Sequence, residues 1–419
     1  MVELLERQAA ERLPELLGVL YGRMSESPFA FFRGTASVMA LDMAHAPVTG
    51  LRVQACGDAH VGNFGEFATP ERSVVFDIND FDETLPAPFE WDVRRLAASL
   101  ELAFRGNGVD ARHRSAAVAS AVRTYRERIA EYASLRTLDI WYSRIRIDEV
   151  VSFFPARYRG LVRRDVQRGL ARTSLRALRK LTHVVDGTRV FVEDPPLLVR
   201  LGQTGHEFDE VLGFIDGYRA SLSEDRRALF DRFRLVDVAR KAVGVGSVGT
   251  RCWVGLFEGP HHPAGDPLVL QVKEAGPSVL EPYAGPSELP HHGLRVVVGQ
   301  RLTQAASDIF LGWSVGPRTG RHYYARQLWD VKASGDPTLM EPANLARYGA
   351  LCAWALARAH ARTGDPVAIT AYLGTSDRFD RATSQFASLY ADQAECDHAA
   401  LCAAITNGQL PSDRALAHQ

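Results

Sequence analysis

Two acidic words close together near the start of the chain restrict its fold more than any other feature. They are Cys56-Gly57-Asp58-Ala59-His60-Val61-Gly62-Asn63-Phe64-Gly65 and Val74-Val75-Phe76-Asp77-Ile78-Asn79-Asp80-Phe81-Asp82-Glu83. Apolar residues flank both, so the carboxylates are carried to the ends of short strands that head for the interior, where an unpaired charge is costly. A fold that accommodates them must bring something cationic to the same place. Asp58 stands five residues before Asn63 on a loop bounded by glycines, and a second acidic cluster follows a short strand. Together they offer a proton acceptor and a set of hard oxygen ligands of the kind Mg2+ takes, and phosphoryl transfer needs both.

A chain of 419 residues can bury a substantial core as one large or two medium domains. With a formal net charge of -1, 24% charged and 46% hydrophobic residues, it has neither the basicity of a nucleic-acid binder nor the polarity of a disordered chain. The five cysteines, Cys56, Cys252, Cys352, Cys396 and Cys402, are odd in number and contain no C-x-x-C pair. That argues against a disulfide framework or a structural zinc site and points to a reducing cytoplasm. No run of about 18 apolar residues exists, and residues 1–20 are interrupted by Glu and Arg, so neither a membrane span nor a signal peptide is expected. Of 49 basic residues only four are lysines, Lys180, Lys241, Lys273 and Lys332. Each invites the question of what a compact ammonium does that a guanidinium fork would not.

Residues 3–22 carry leucines at helical spacing among charges, which predicts one amphipathic packing helix. Ser25 to Ala40 contains Phe29, Phe31 and Phe32 beside Arg33, its one basic residue. That arginine is either half of a buried ion pair or a contact to phosphate or substrate. Leu51 to Gln54 and Ser73 to Phe76 read as short strands that hold the Asp58–Asn63 loop in a hairpin-like frame. Val93, Leu96, Leu100 and Phe104 then recur at helical spacing, with Asp92, Arg94 and Arg95 as a solvated first turn. Further on, Arg157, Arg159, Arg163, Arg164 and Arg168 stand in a stretch, 112–180, that also carries acidic residues, in a chain near neutral overall, which favours a solvated face over a seat for an anion or nucleic acid.

The second informative block is Val243-Gly244-Val245-Gly246-Ser247-Val248-Gly249-Thr250, followed by Cys252-Trp253-Val254-Gly255-Leu256 and later by Leu268-Val269-Leu270-Gln271-Val272-Lys273-Glu274. Gly244-x-Gly246-x-x-Gly249 matches the dinucleotide fingerprint, but that fingerprint needs a helix directly after the glycines, and Arg251 to Leu256 is β-branched and aromatic. Strand, glycine turn, strand, loop and strand with a terminal lysine is instead the pattern of a loop that folds over phosphates. Residues 294–311 predict a helix behind this sheet, and His322 to Leu328 another strand. Glu281 ranks ahead of Glu288 as the acidic partner of Lys273. Pro342 opens a long helix through Ala361, on which His360 reads as a core histidine.

Gly57-Asp58-x-His60-x-x-Asn63 resembles the catalytic loop of aminoglycoside and choline phosphotransferases, members of the protein-kinase-like superfamily. Ser27-Pro28-Phe29-Ala30-Phe31-Phe32-Arg33-Gly34, Asn79-Asp80-Phe81-Asp82-Glu83 and Trp91-Asp92-Val93-Arg94-Arg95-Leu96 are similar, over nearly the whole chain, to the bacterial family DUF2252. The resemblance implies an α+β, two-lobed kinase-like fold. It would be circularly permuted, because the catalytic-loop words precede the glycine turn. Residues 1–230 would form a helical lobe with the catalytic loop and acidic segment, 231–335 a small antiparallel β nucleotide lobe, and 336–419 helices completing the large lobe. It further implies Asp58 as base, with His60 beside it, and Asn63 with Asp77, Asp80 or Asp82 on Mg2+. ATP would lie under Gly244, Gly246, Ser247 and Gly249, with Lys273 on its phosphates and Glu281 supporting that lysine. The partners are then a nucleotide and an unidentified hydroxyl acceptor, small molecule or protein, with no nucleic acid and no membrane. An AMP transferase, a non-catalytic ATP-binding module and a two-metal phosphoesterase, whose sites also begin with an Asp-x-His word, are alternatives.

Overall fold

A computed structural model describes residues 1–157, 159–160, 163–164, 178, 181–260, 265–328 and 336–413; Arg168, Lys180 and Lys332 lie outside them. Its architecture is mixed α+β, and every strand pairing in it is antiparallel. The largest sheet has six strands, in the order Gly312–Val315, His322–Gln327, Pro267–Glu274, Cys252–Glu258, Arg234–Lys241, Leu198–Arg200. The uninterrupted apolar run Leu268 to Val272 makes Pro267–Glu274 a central strand, buried along both faces. Residues 244–249 form the turn between Arg234–Lys241 and Cys252–Glu258, and a strand follows them directly, as their β-branched and aromatic sequel requires. The dinucleotide-type fold is thereby excluded.

Helix His292–Thr303 packs against this sheet. It is shorter than expected, because the chain turns extended at Gln304 and Asp308 then ties it back to the N–H groups of Phe310 and Gln327. Helix His206–Ser221 contributes Val211, Phe214 and Tyr218 to the same core as Trp253 and Tyr323. The sheet half therefore begins before residue 231, since Leu198–Arg200 and His206–Ser221 both belong to it.

The other half is helical. Phe89–Gly106, Ala111–Ala133, Pro342–Thr363 and Arg378–Thr406 pack on one another around the largest apolar core. Pro342 in the first turn and Gly364 just past the last mark the expected limits of the long helix. The chain thus leaves the helical half, builds the sheet and returns. At the start, Pro14 divides the expected single helix into Val2–Ala9, a 3-10 turn Pro14–Leu16 and Leu17–Met24. The hairpin frame is also different: Arg52–Ala55 pairs with Leu85–Pro88, while Val74–Ile78 pairs with Phe64–Ala68. The Asp58 loop therefore bridges two small sheets. Among the described residues no helix is long and apolar enough to cross a membrane.

Candidate functional site

At Gly57 the backbone has φ 80°, and a Cβ there would stand 2.3 Å from the Glu83 carbonyl oxygen, so only glycine lets the two acidic words meet. Helix Phe89–Gly106 then holds the loop that follows. Asp92 accepts hydrogen bonds from the N–H groups of Cys56 at 2.8 Å and Gly57 at 3.1 Å, and Ser99 Oγ accepts from Val61 N–H at 2.9 Å. Arg95 Nε donates to Asp58 Oδ1 at 2.6 Å, with its guanidinium 4.2 Å from the Phe32 ring centroid. Positions 92, 95 and 99 share one helix face. The expected solvated turn is corrected here: Asp92 and Arg95 are buried, turned inward by the loop's N–H groups and carboxylate.

His60 Nδ1 accepts from Gly62 N–H at 3.1 Å, and its Nε2 lies 3.8 Å from Asp58 Oδ2. Burial drives the imidazole pKa down to about 3, Arg33 and Arg95 adding to the effect against the pull of Asp58, so the ring is neutral. Asn63 Nδ2 donates to the Asp58 carbonyl at 2.9 Å, which leaves its Oδ1 as the acceptor end.

Lys273 is 2% exposed and its ammonium lies on Asp82 Oδ2, whose carboxylate also accepts from Tyr324 OH at 2.5 Å and Ser247 Oγ at 3.2 Å. Burial alone would lower the Lys273 pKa, but Asp82, Tyr324 and Asp80 outweigh it and hold it well above its ordinary value. Asp82, rather than Glu281, is therefore the partner of this lysine. Glu281 takes the Ser278 N–H at 3.0 Å and faces Arg295 at 3.9 Å. On the helix behind the sheet, Arg295 donates to the carbonyls of Asp82, Thr84 and Gly276.

Asp77 is also placed elsewhere. Fully buried, it accepts from Arg358 at 2.6 and 2.7 Å and from the N–H groups of Ile78 and Ala305. Its lone pairs are spent on the scaffold. Asp80 stays at the site, with Oδ1 taking, among the described residues, only the Asp82 N–H at 3.3 Å. Burial works to raise its pKa, but Lys273 and Arg326 overcome this and lower it.

One cavity of about 490 Å³ gathers Asp58, His60, Asn63, Asp80, Asp82 and Glu83 with Gly244, Gly246 and Ser247. Lys273 sits one side chain behind its wall, and Gly249 packs on Arg12. Among the described residues none accepts from the N–H groups of Gly246 or Ser247. Nor do any three His, Cys, Asp or Glu side chains form a metal cage there. Glu83, passed over in the sequence although it closes the second acidic word, is pushed up to about 7 by burial, with the Val279 N–H and Arg295 pulling the other way. Asp92, Arg95 and Ser99 were missed as well; their signal was three polar residues at one helical spacing, on a different side of the helix from Glu90, Arg94, Glu101 and Arg105.

A family model described as an uncharacterised protein conserved in bacteria, DUF2252, matches residues 12–404. No curated protein and no solved structure matches the chain.

Proposed function

The chain belongs to the DUF2252 family, whose description gives no activity, and from the geometry of the cavity we propose a Mg2+- and ATP-dependent, kinase-like phosphotransferase acting on a hydroxyl acceptor. Asp82 carries this reading. It lines a cavity with Asp58, Asn63 and Ser247, 165 positions away, and meets Lys273, 191 positions away, just behind that cavity's wall. A glycine turn joining two strands, with a lysine on the strand after them, is the device by which kinases cover and hold nucleotide phosphates. In this reading the sheet half is a nucleotide lobe and the helical half an acceptor lobe, in permuted order. Supporting the permutation, helix Pro342–Thr363 lies against strand Arg52–Ala55, which leads into Asp58, with Gln54 N–H donating to Thr363 Oγ1 at 3.1 Å.

Asp58 keeps one oxygen on Arg95 and turns the other to the acceptor hydroxyl, orienting it and taking its proton. Gly246 and Ser247 offer free N–H groups to phosphate oxygens. Lys273 exchanges Asp82 for phosphate, whose negative charge then does for the ammonium what Asp82 does before and keeps it charged. Asp80 and the Asn63 Oδ1 are hard oxygen donors that fit Mg2+, which takes one or two carboxylates plus waters and phosphate, so the lack of a three-ligand cage is no obstacle. Bound there, the ion supplies neutralisation of phosphate charge.

The test is the nucleotide product formed from ATP, Mg2+ and a metabolite pool. ADP supports phosphoryl transfer. Pyrophosphate with AMP on the acceptor replaces it with nucleotidyl transfer, and ATP bound but unchanged with a binding module. Phosphate released from phosphoesters without ATP would make the chain a phosphoesterase.

A further inference from the structure

The sequence leaves Arg33 between a buried ion pair and a contact to phosphate, and among the described residues it has no ion pair. Helix Pro28–Gly34 buries Phe29, Phe31 and Phe32, and so presents Arg33 to the cavity wall. Of the carboxylates that line the same cavity, Asp58 is matched to Arg95, Asp82 to Lys273, and Glu274 to Arg251 and Arg321, while Glu11, Asp80 and Glu83 line it without an ion pair to Arg33. No carboxylate pairs with Arg33 among the described residues, and its Nε is buried with no hydrogen-bond partner.

Its position matters as much as its isolation. A Cβ at Gly62 would lie 3.8 Å from Arg33 Nε, and one at Gly246 would lie 3.3 Å from the Arg33 carbonyl oxygen. Arg33 therefore stands between the Asp58–Asn63 loop and the glycine turn, beside a neutral His60 that neither balances nor shares its charge. A permanently charged group with a buried, unbonded N–H is unfavourable unless something completes it. The planar fork of a guanidinium matches the paired oxygens of phosphate or carboxylate.

We propose that Arg33 is the seat of a phosphate-class oxyanion. Naming its source rests on the phosphotransferase reading: it is either the terminal phosphate of the donor nucleotide or an anionic group on the acceptor.

The experiment is calorimetric titration of inorganic phosphate, ADP and ATP into wild type and Arg33→Gln, each shown folded by its melting curve. Phosphate affinity is expected to fall about tenfold or more in Arg33→Gln, the scale of a hydrogen bond to a charged group. If ATP affinity falls with it while ADP affinity holds, the seat takes the donor's terminal phosphate. If both nucleotides hold, and phosphate still binds through Arg33 when ATP is bound, the seat belongs to an anionic acceptor. Wild type that does not bind phosphate, or equal phosphate affinity in the two proteins, overturns the proposal. Phosphate binding through Arg33 without any nucleotide binding would overturn the phosphotransferase reading and leave the seat standing. Should Arg33→Gln not fold, Arg33→Lys keeps the charge without the fork and is read by the same outcomes, with a smaller loss.

Discussion

Asp77 and Asp80 are three positions apart and have opposite surroundings. Asp77 is closed inside the scaffold on Arg358, and both residues are 0% exposed. Asp77→Ala leaves that guanidinium buried without its counterion, and a loss of about 3–5 kcal/mol is expected. It will show as a collapse of the melting temperature or of soluble yield. Asp80→Ala removes a group on the cavity wall. Its melting curve is expected to stay close to wild type, while the Mg2+-dependent part of nucleotide affinity is lost when ATP is titrated with and without the ion. Matched melting curves for the two variants would return Asp77 to the site. Asp58→Asn keeps an oxygen for Arg95 but cannot take a proton. Turnover should vanish with nucleotide affinity within a few-fold of wild type, because on the phosphotransferase reading the group touches only the acceptor. Undiminished turnover would remove Asp58 from the role of base.

Helix Phe89–Gly106 is the element on which the loop depends. Its apolar spacing was legible, and so were its limits. That its polar residues face inward was not, because a polar residue bonded to a buried loop and one bonded to water look alike in a sequence. His360 adds to the same anchor, with Nε2 3.3 Å from Asp92 and Nδ1 2.8 Å from Tyr125 OH, a core histidine as its place on a buried helix implied. Ser99→Ala strands the Val61 N–H, and a loss of about 1 kcal/mol in stability is expected. Because that bond sets the loop rather than the glycine turn, the phosphotransferase reading expects kcat to drop several-fold with nucleotide Kd unchanged. A change confined to Kd would mean that the loop does not position Asp58.

At the scale of the whole molecule, Arg295 joins the halves by donating from the sheet-side helix to the carbonyls of Asp82 and Thr84. Glu83 lies at the same junction, its pKa raised from 4.5 to about 7. A raised carboxyl favours the folded state most at low pH. Its contribution is lost as pH climbs from about 4.5 through about 7 and is flat above. Glu83→Gln should therefore gain stability relative to wild type between pH 5 and 8, by roughly 1–2 kcal/mol allowing for solvent at the cavity mouth. A difference in melting temperature that does not change with pH would rule this out. The sequence alone determined the local parts: the glycine turn between strands, the lysine at the end of the third, the acidic words and the long helices, all of which rest on spacing over a few residues. Only the tertiary structure decided which carboxylate meets which cation. Arg358 reaches Asp77 across 281 positions and Lys273 reaches Asp82 across 191, and burial and pairing over such separations leave no trace in local periodicity. For the same reason Arg33 could not be assigned from its neighbours Phe31 and Phe32, since what sets it apart is that none of the described residues pairs with it.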